Sequence, residues 1–157
     1  MKIMMIAFGS RGDVQPFLAL AVALQGRGHH ITLAASQDFE DLIQSHGVTY
    51  LPIAIRASAM QNLGSTQQVT DKGVTPSSLL AIWREIIPQI KRAMLQATHD
   101  IADACGGVDL LIAHGFQMPF AYAIHQHLNI PLILSIAAPT IITREFPIFP
   151  PFPFGGR

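Results

Sequence analysis

The chain predicts a doubly wound α/β domain: a parallel sheet in the strand order 3-2-1-4-5 with helices on both faces. Three observations carry this. Apolar runs of strand length alternate with helix-length patterns along most of the sequence, as β-α-β units require. The first run, Ile3 to Phe8, is unbroken in hydrophobicity, as expected of a central strand covered on both faces. It passes through a glycine-bearing turn, Gly9-Ser10-Arg11-Gly12, directly into a helical pattern.

The elements follow in order. Gly9 and Gly12 permit backbone angles or close approaches that a Cβ would block. Pro16 suits the first turn of the first helix, and Phe17, Leu20, Ala21 and Leu24 recur on one helical face. Gly26 to Gly28 ends that helix. His30 to Ala35 reads as a second buried strand. Ser36 then caps a short helix with Phe39, Leu42 and Ile43 inside and Asp38, Glu40 and Asp41 near its start. Val48 to Leu51 is a third strand ended by Pro52.

Ile53 to Pro76 has no firm periodicity and is rich in Gln, Ser, Thr and Ala. The reading there is a poorly ordered loop with a helical turn around Ala57 to Leu63. Ser77 or Ser78 opens a long helix striped by Leu79, Ile82, Trp83, Ile86, Ile90, Met94, Ala97 and Ile101, kinked or split at Pro88 and ended by Gly106-Gly107. Asp109 to His114 is the fourth strand, Pro119 to Leu128 a helix, and Pro131 to Ala137 the fifth strand. From Pro139, alternating Pro and Phe residues give an extended segment that needs a surface to pack on.

Composition narrows the function. The 157 residues are 50% hydrophobic and 13% charged, enough for one packed core and too apolar for disorder. Ten Lys and Arg balance ten Asp and Glu, so no basic field exists to attract nucleic acid. The single Cys105 excludes an internal disulfide and fits a reducing cytosol. It reads as a small buried residue near a helix end. The longest apolar stretch, Ile130 to Ile142, is interrupted by Pro131 and Pro139 and falls short of the roughly 18–20 residues that span a bilayer. The expected location is cytoplasmic, with peripheral membrane contact open. The oily composition leaves a homo-oligomer open as well. No His or Cys spacing suits zinc, and no metal is expected.

The first turn is informative by what it lacks. Its glycines are spaced G-x-x-G, and the second strand ends Leu33-Ala34-Ala35-Ser36 without an acid. A dinucleotide site thus lacks its glycine pattern and its ribose carboxylate, and without G-K-[ST] there is no P-loop. The turn does bring backbone N–H groups and a helix dipole to the C-terminal edge of the first strand, which suits a phosphate. In the order 3-2-1-4-5 the switch point lies between strands one and four, so the turns Gly9 to Gln15 and His114 to Pro119 flank one crevice. Asp13 and His114 should face each other there. From spacing alone, Asp13 reads first as an acid that stabilises a helix start, and His114 first as a half-buried strand-end histidine.

Gly9-Ser10-Arg11-Gly12-Asp13-Val14-Gln15-Pro16, with Leu18-Ala19-Leu20-Ala21, Gly26-Arg27-Gly28-His29 and Arg144-Glu145-Phe146-Pro147, resembles the N-terminal domain of glycosyltransferase family 28 and the related sterol, macrolide and glycopeptide-antibiotic enzymes. The resemblance implies the Rossmann-like N-terminal half of a GT-B fold. It also implies an inverting transfer of a hexose from a UDP- or TDP-linked sugar to a hydroxyl of an apolar acceptor: a sterol, a macrolide or a lipid-like alcohol. By the same resemblance Asp13 is the general base, and Gly9, Ser10, Arg11 and Gly12 lie near the donor diphosphate; His114, Phe116 and Gln117, in the turn that topology puts across the crevice, are read as the acceptor side. The nucleotide-sugar is a co-substrate, and no bound cofactor is implied. Residues 1–157 then form one incomplete acceptor-side domain, inactive without a C-terminal donor-binding domain. The alternative is a non-catalytic partner subunit that needs a separate donor-binding chain.

Overall fold

The computed structural model describes residues 1–54, 84 and 87–136, apart from the side chains of Ile87, Ile90 and Phe116. Five strands, β1 (Lys2–Ile6), β2 (His30–Ser36), β3 (Thr49–Ile53), β4 (Leu110–His114) and β5 (Leu132–Ser135), form one sheet in the order β3-β2-β1-β4-β5. Every pairing is parallel, with Ile6 opposite both Ala34 and Ala113. This is the order read from the sequence, with the first strand at the centre.

Strand alternation divides the core in two. Met4, Ile6, Phe8, Leu111 and Ala113 point to the face covered by α3 (Ile87–Asp103) and α4 (Met118–Leu128). Ile3, Met5, Ala7, Leu33, Ala35 and Ile112 point to the opposite face, under α1 (Arg11–Gln25) and α2 (Glu40–Gln44). Burial on both sides explains why these runs lack polar residues. The inner face of α2 is as read, with Ile43 buried and Phe39 and Leu42 against it. In α3, Ala97 and Ile101 are buried and Met94 packs beside them.

Local readings need correction. Helix α1 starts at Arg11, so Pro16 is its sixth residue and not part of its first turn. Proline there removes one N–H···O bond, to the Gly12 carbonyl. The buried stripe is Val14, Phe17, Leu18 and Ala21, and Leu20 is exposed. Pro52 lies within β3 opposite Ala35. It is tolerated because β3 is a border strand, where an outward N–H has no ladder partner. Ile53 belongs to that strand too. Ser36 precedes a 3-10 turn, Gln37–Phe39, before α2, and its side chain makes no cap bond. The described part of the long helix, α3, begins at Ile87 beside Pro88, and the stripe before it, where a kink or split would show, lies outside the described residues apart from residue 84. The loop read after Ile53, the Ser77/Ser78 helix start and the Phe/Pro segment from Pro139 lie outside the described residues. No described helix is long and apolar enough to cross a membrane.

Cys105 is buried against α3 and the sheet. Burial pushes its thiol up from 9.0 to about 11. Tyr50 is raised also, first by burial and then by Glu40 and Asp38. Both groups hold their proton more tightly when folded. The stability this contributes is full below the unfolded thiol value and declines as pH rises from about 9 through about 11. Iodoacetamide at pH 7.5 should leave the native thiol unmodified and label it once denatured. Labelling at equal rates in both states would contradict this burial.

Candidate active site

The site is built at the C-terminal edge of β1. The strand ends at Ile6, and Phe8 still contributes to the core. Gly9 then turns the chain with φ +139°, in the region that favours glycine. Ser10 is extended and serves as the N-cap of α1. Asp13 stands at N3, where its carboxylate reaches back to the cap. Ser10 N–H donates to Asp13 Oδ2 at 2.7 Å and Ser10 Oγ–H to the same oxygen at 2.9 Å. Asp13 N–H donates to the Ser10 carbonyl at 3.0 Å. The first of these is the carboxylate half of a capping box.

Gly9 is required by this arrangement. A Cβ there would come within 2.6 Å of Asp13 Oδ2. Gly12 differs, since a Cβ on it would meet only Ser10 Oγ at 3.6 Å. Nothing in the described fold demands glycine at that position. Ser10, Arg11 and Gly12 are exposed. The N–H groups of Arg11 and Gly12, at N1 and N2, have no acceptor within the helix.

The second turn comes from β4. Residues Leu110, Ile112 and His114 share the α1 face of that strand. His114 therefore ends beneath the start of α1, its ring edge-on to Phe17 with centroids 5.8 Å apart. His114 Nε2 lies 3.7 Å from Asp13 Oδ1, with side-chain exposures of 3% for the histidine and 28% for the aspartate. At that distance the contact is electrostatic rather than a hydrogen bond. The two oxygens of Asp13 thus have separate surroundings: Oδ2 faces the cap, and Oδ1 faces His114.

A 3-10 turn, Gly115–Gln117, follows β4. Gln117 is buried, and its Nε2–H donates to the Phe8 carbonyl at 2.6 Å. It meets the site through the first turn, a role its sequence position did not reveal. The structure therefore brings Gly9, Ser10, Arg11, Gly12, Asp13, His114 and Gln117 to one sheet edge, as the topology implied. The side chain of Phe116 lies outside the described atoms. Among the described residues, no group of three or more His, Cys, Asp or Glu is placed to hold a metal ion.

Comparison with known proteins adds the family. The glycosyltransferase family 28 N-terminal domain model matches residues 3–147. The chain is 33% identical over 144 residues to a sterol 3-beta-glucosyltransferase of Debaryomyces hansenii, covering 91% of this chain and 8% of that enzyme. It is 32% identical over 153 residues to sterol 3-beta-glucosyltransferase UGT80A2 of Arabidopsis thaliana, covering 94% of this chain and 23% of that enzyme. The chain thus spans less than a quarter of either relative. Among solved structures, CalG4, the calicheamicin glycosyltransferase, superposes with a TM-score of 0.67 at 16% identity, over 92% of this chain and 34% of that one. SsfS6, a Streptomyces sp. SF2575 glycosyltransferase complexed with thymidine diphosphate, does so with a TM-score of 0.59 at 22% identity, over 87% of this chain and 38% of that one. These two likenesses concern the fold. The match across residues 3–147 decides the assignment: the chain belongs to the glycosyltransferase family 28 N-terminal domain family.

Proposed function

We propose that the chain supplies the acceptor side of an inverting glycosyltransferase, which moves a hexose from a nucleoside-diphosphate sugar to the hydroxyl of a sterol-like alcohol. The observation that carries this is the Asp13 carboxylate. It is fixed at the edge of the central strand by Ser10, yet remains partly open to solvent. Support for the acceptor class comes from the relatives, whose names specify sterol 3-beta-glucosylation. Support for a nucleoside diphosphate comes from the thymidine diphosphate held by SsfS6.

In this reading Asp13 Oδ1 takes the proton, because Oδ2 already accepts two hydrogen bonds. The acceptor oxygen forms its bond to the anomeric carbon as the bond from that carbon to the phosphate oxygen breaks. The nucleoside diphosphate leaves with the electron pair from the opposite face, which inverts the centre. His114 sits behind Oδ1 and holds the carboxylate toward the acceptor. The N–H groups of Arg11 and Gly12, with the helix dipole, stabilise negative charge growing on the departing phosphate. Open space at Gly12 allows that phosphate to approach the backbone. In this reading donor binding falls to a second domain of the complete enzyme.

The test uses the complete enzyme with an α-linked nucleotide-glucose and a sterol, and reads the anomeric configuration of the product by NMR. A β-glucoside is expected. An α-glucoside, or no transfer to any apolar alcohol by an enzyme that binds donor, would overturn the reading.

A further inference from the structure

We infer that Gln117 is a positioning residue for Asp13, acting through the Phe8–Gly9 peptide; this deepens the reading of Asp13 as base and rests on it. The paired region of β1 and β4 ends at Ile6 opposite Ala113. The ladder therefore does not hold the Phe8 carbonyl. Gln117 does so instead, at 2.6 Å and from 109 positions further along the chain. The next residue is Gly9, whose Cα packs so closely on Asp13 Oδ2 that no side chain fits between them. The next N–H, on Ser10, is the one that Oδ2 accepts. Turning the Phe8–Gly9 peptide would displace the Gly9 Cα and the Ser10 N–H, two of the three contacts at this oxygen. One amide thereby ties the turn after β4 to the turn that carries the carboxylate.

Packing alone does not account for an amide here. Gln117 is only 4% exposed. A carbonyl can only accept, so the NH₂ group must face Phe8 and Oε1 must point away from it. Among the described residues Oε1 has no hydrogen-bond partner. An apolar side chain would fill the same space without burying an unsatisfied acceptor, which costs about 1–3 kcal/mol. What the amide provides, and an apolar group cannot, is the hold on Phe8.

Two variants of the complete enzyme test this. Gln117→Met keeps the volume and removes the donor. Gln117→Glu removes the donor while the new carboxyl is ionised and restores one when it is protonated. In the Met variant kcat should fall about 10- to 100-fold, with both KM values nearly unchanged and cooperative melting retained. The Ser10 amide should exchange with deuterium about tenfold faster or more. In the Glu variant, kcat relative to wild type and Ser10 protection should both recover as pH falls through the new carboxyl's titration. Recovery of this kind also serves if the Met variant fails to fold. A folded Met variant with wild-type kcat and Ser10 protection, or a Glu variant whose deficit is the same at every pH, would overturn the inference. If Asp13→Asn is fully active while Ser10 exchange still responds to Gln117→Met, the base reading falls and the positional link stands. If Asp13→Asn is inactive and neither Gln117 variant has an effect, the positional link alone falls.

Discussion

Asp13→Asn in the complete enzyme is expected to lower kcat by about 10²–10⁴-fold, the range for losing a positioned general base. KM for the nucleotide-sugar should change little. Asparagine suits the test because of what Asp13 does besides chemistry. Its Oδ2 accepts from the Ser10 N–H and hydroxyl, and an amide oxygen can still accept there. The helix start should stay capped, losing only the charge–dipole contribution of about 0.3–1 kcal/mol. Asp13→Ala would confuse the result, since it removes base and cap together. Steady-state kinetics with matched melting curves check the outcome. Wild-type kcat in a folded Asn variant would remove Asp13 from the reaction.

Gly9→Ala should be the more disruptive of the two glycine changes in the turn. The residue has φ +139°, and its new Cβ would lie 2.6 Å from Asp13 Oδ2. Backbone strain of this kind costs about 1–3 kcal/mol, and the carboxylate must move to make room. A displaced base of this sort costs about 10²-fold in rate. Gly12→Ala should behave oppositely as to stability. Its Cβ meets only Ser10 Oγ at 3.6 Å, and replacing a helical glycine with alanine stabilises by about 0.5–1 kcal/mol. Its cost should appear as a raised KM for the nucleotide-sugar, because the methyl intrudes where the phosphate approaches. Thermal melts and separate KM measurements distinguish the two. Equal effects from both substitutions would contradict the geometry of this turn.

The strand order was legible because a strand buried on both faces cannot hide its composition. Ile3 to Phe8 and His30 to Ala35 announce themselves. The meeting of Asp13 with His114 was legible also, since it follows from which turns flank the switch point. The start of α1 was misread because Pro16 drew the boundary toward itself. A competing signal was present: Ser10 and Asp13 have the S-x-x-D spacing of a capping box. It outweighs one proline, which forfeits a single hydrogen bond. Pro52 was misread for a related reason. A proline ends an interior strand but not a border one, and position in the sheet is not a local property of sequence. The Gln117 contact was hidden more deeply. Its amide meets a carbonyl 109 residues away, and no periodicity records such a pairing.

The same Pro52 has a consequence for how the sheet can grow. Its nitrogen carries no hydrogen, so the outer side of β3 is a blunted template that resists extension by another strand. Among the described residues β5 borders the other flank; it contains no proline, and Ile133, Leu134 and Ile136 are exposed around it. Of the two described flanks, then, one is chemically terminated by an imide nitrogen and the other is not.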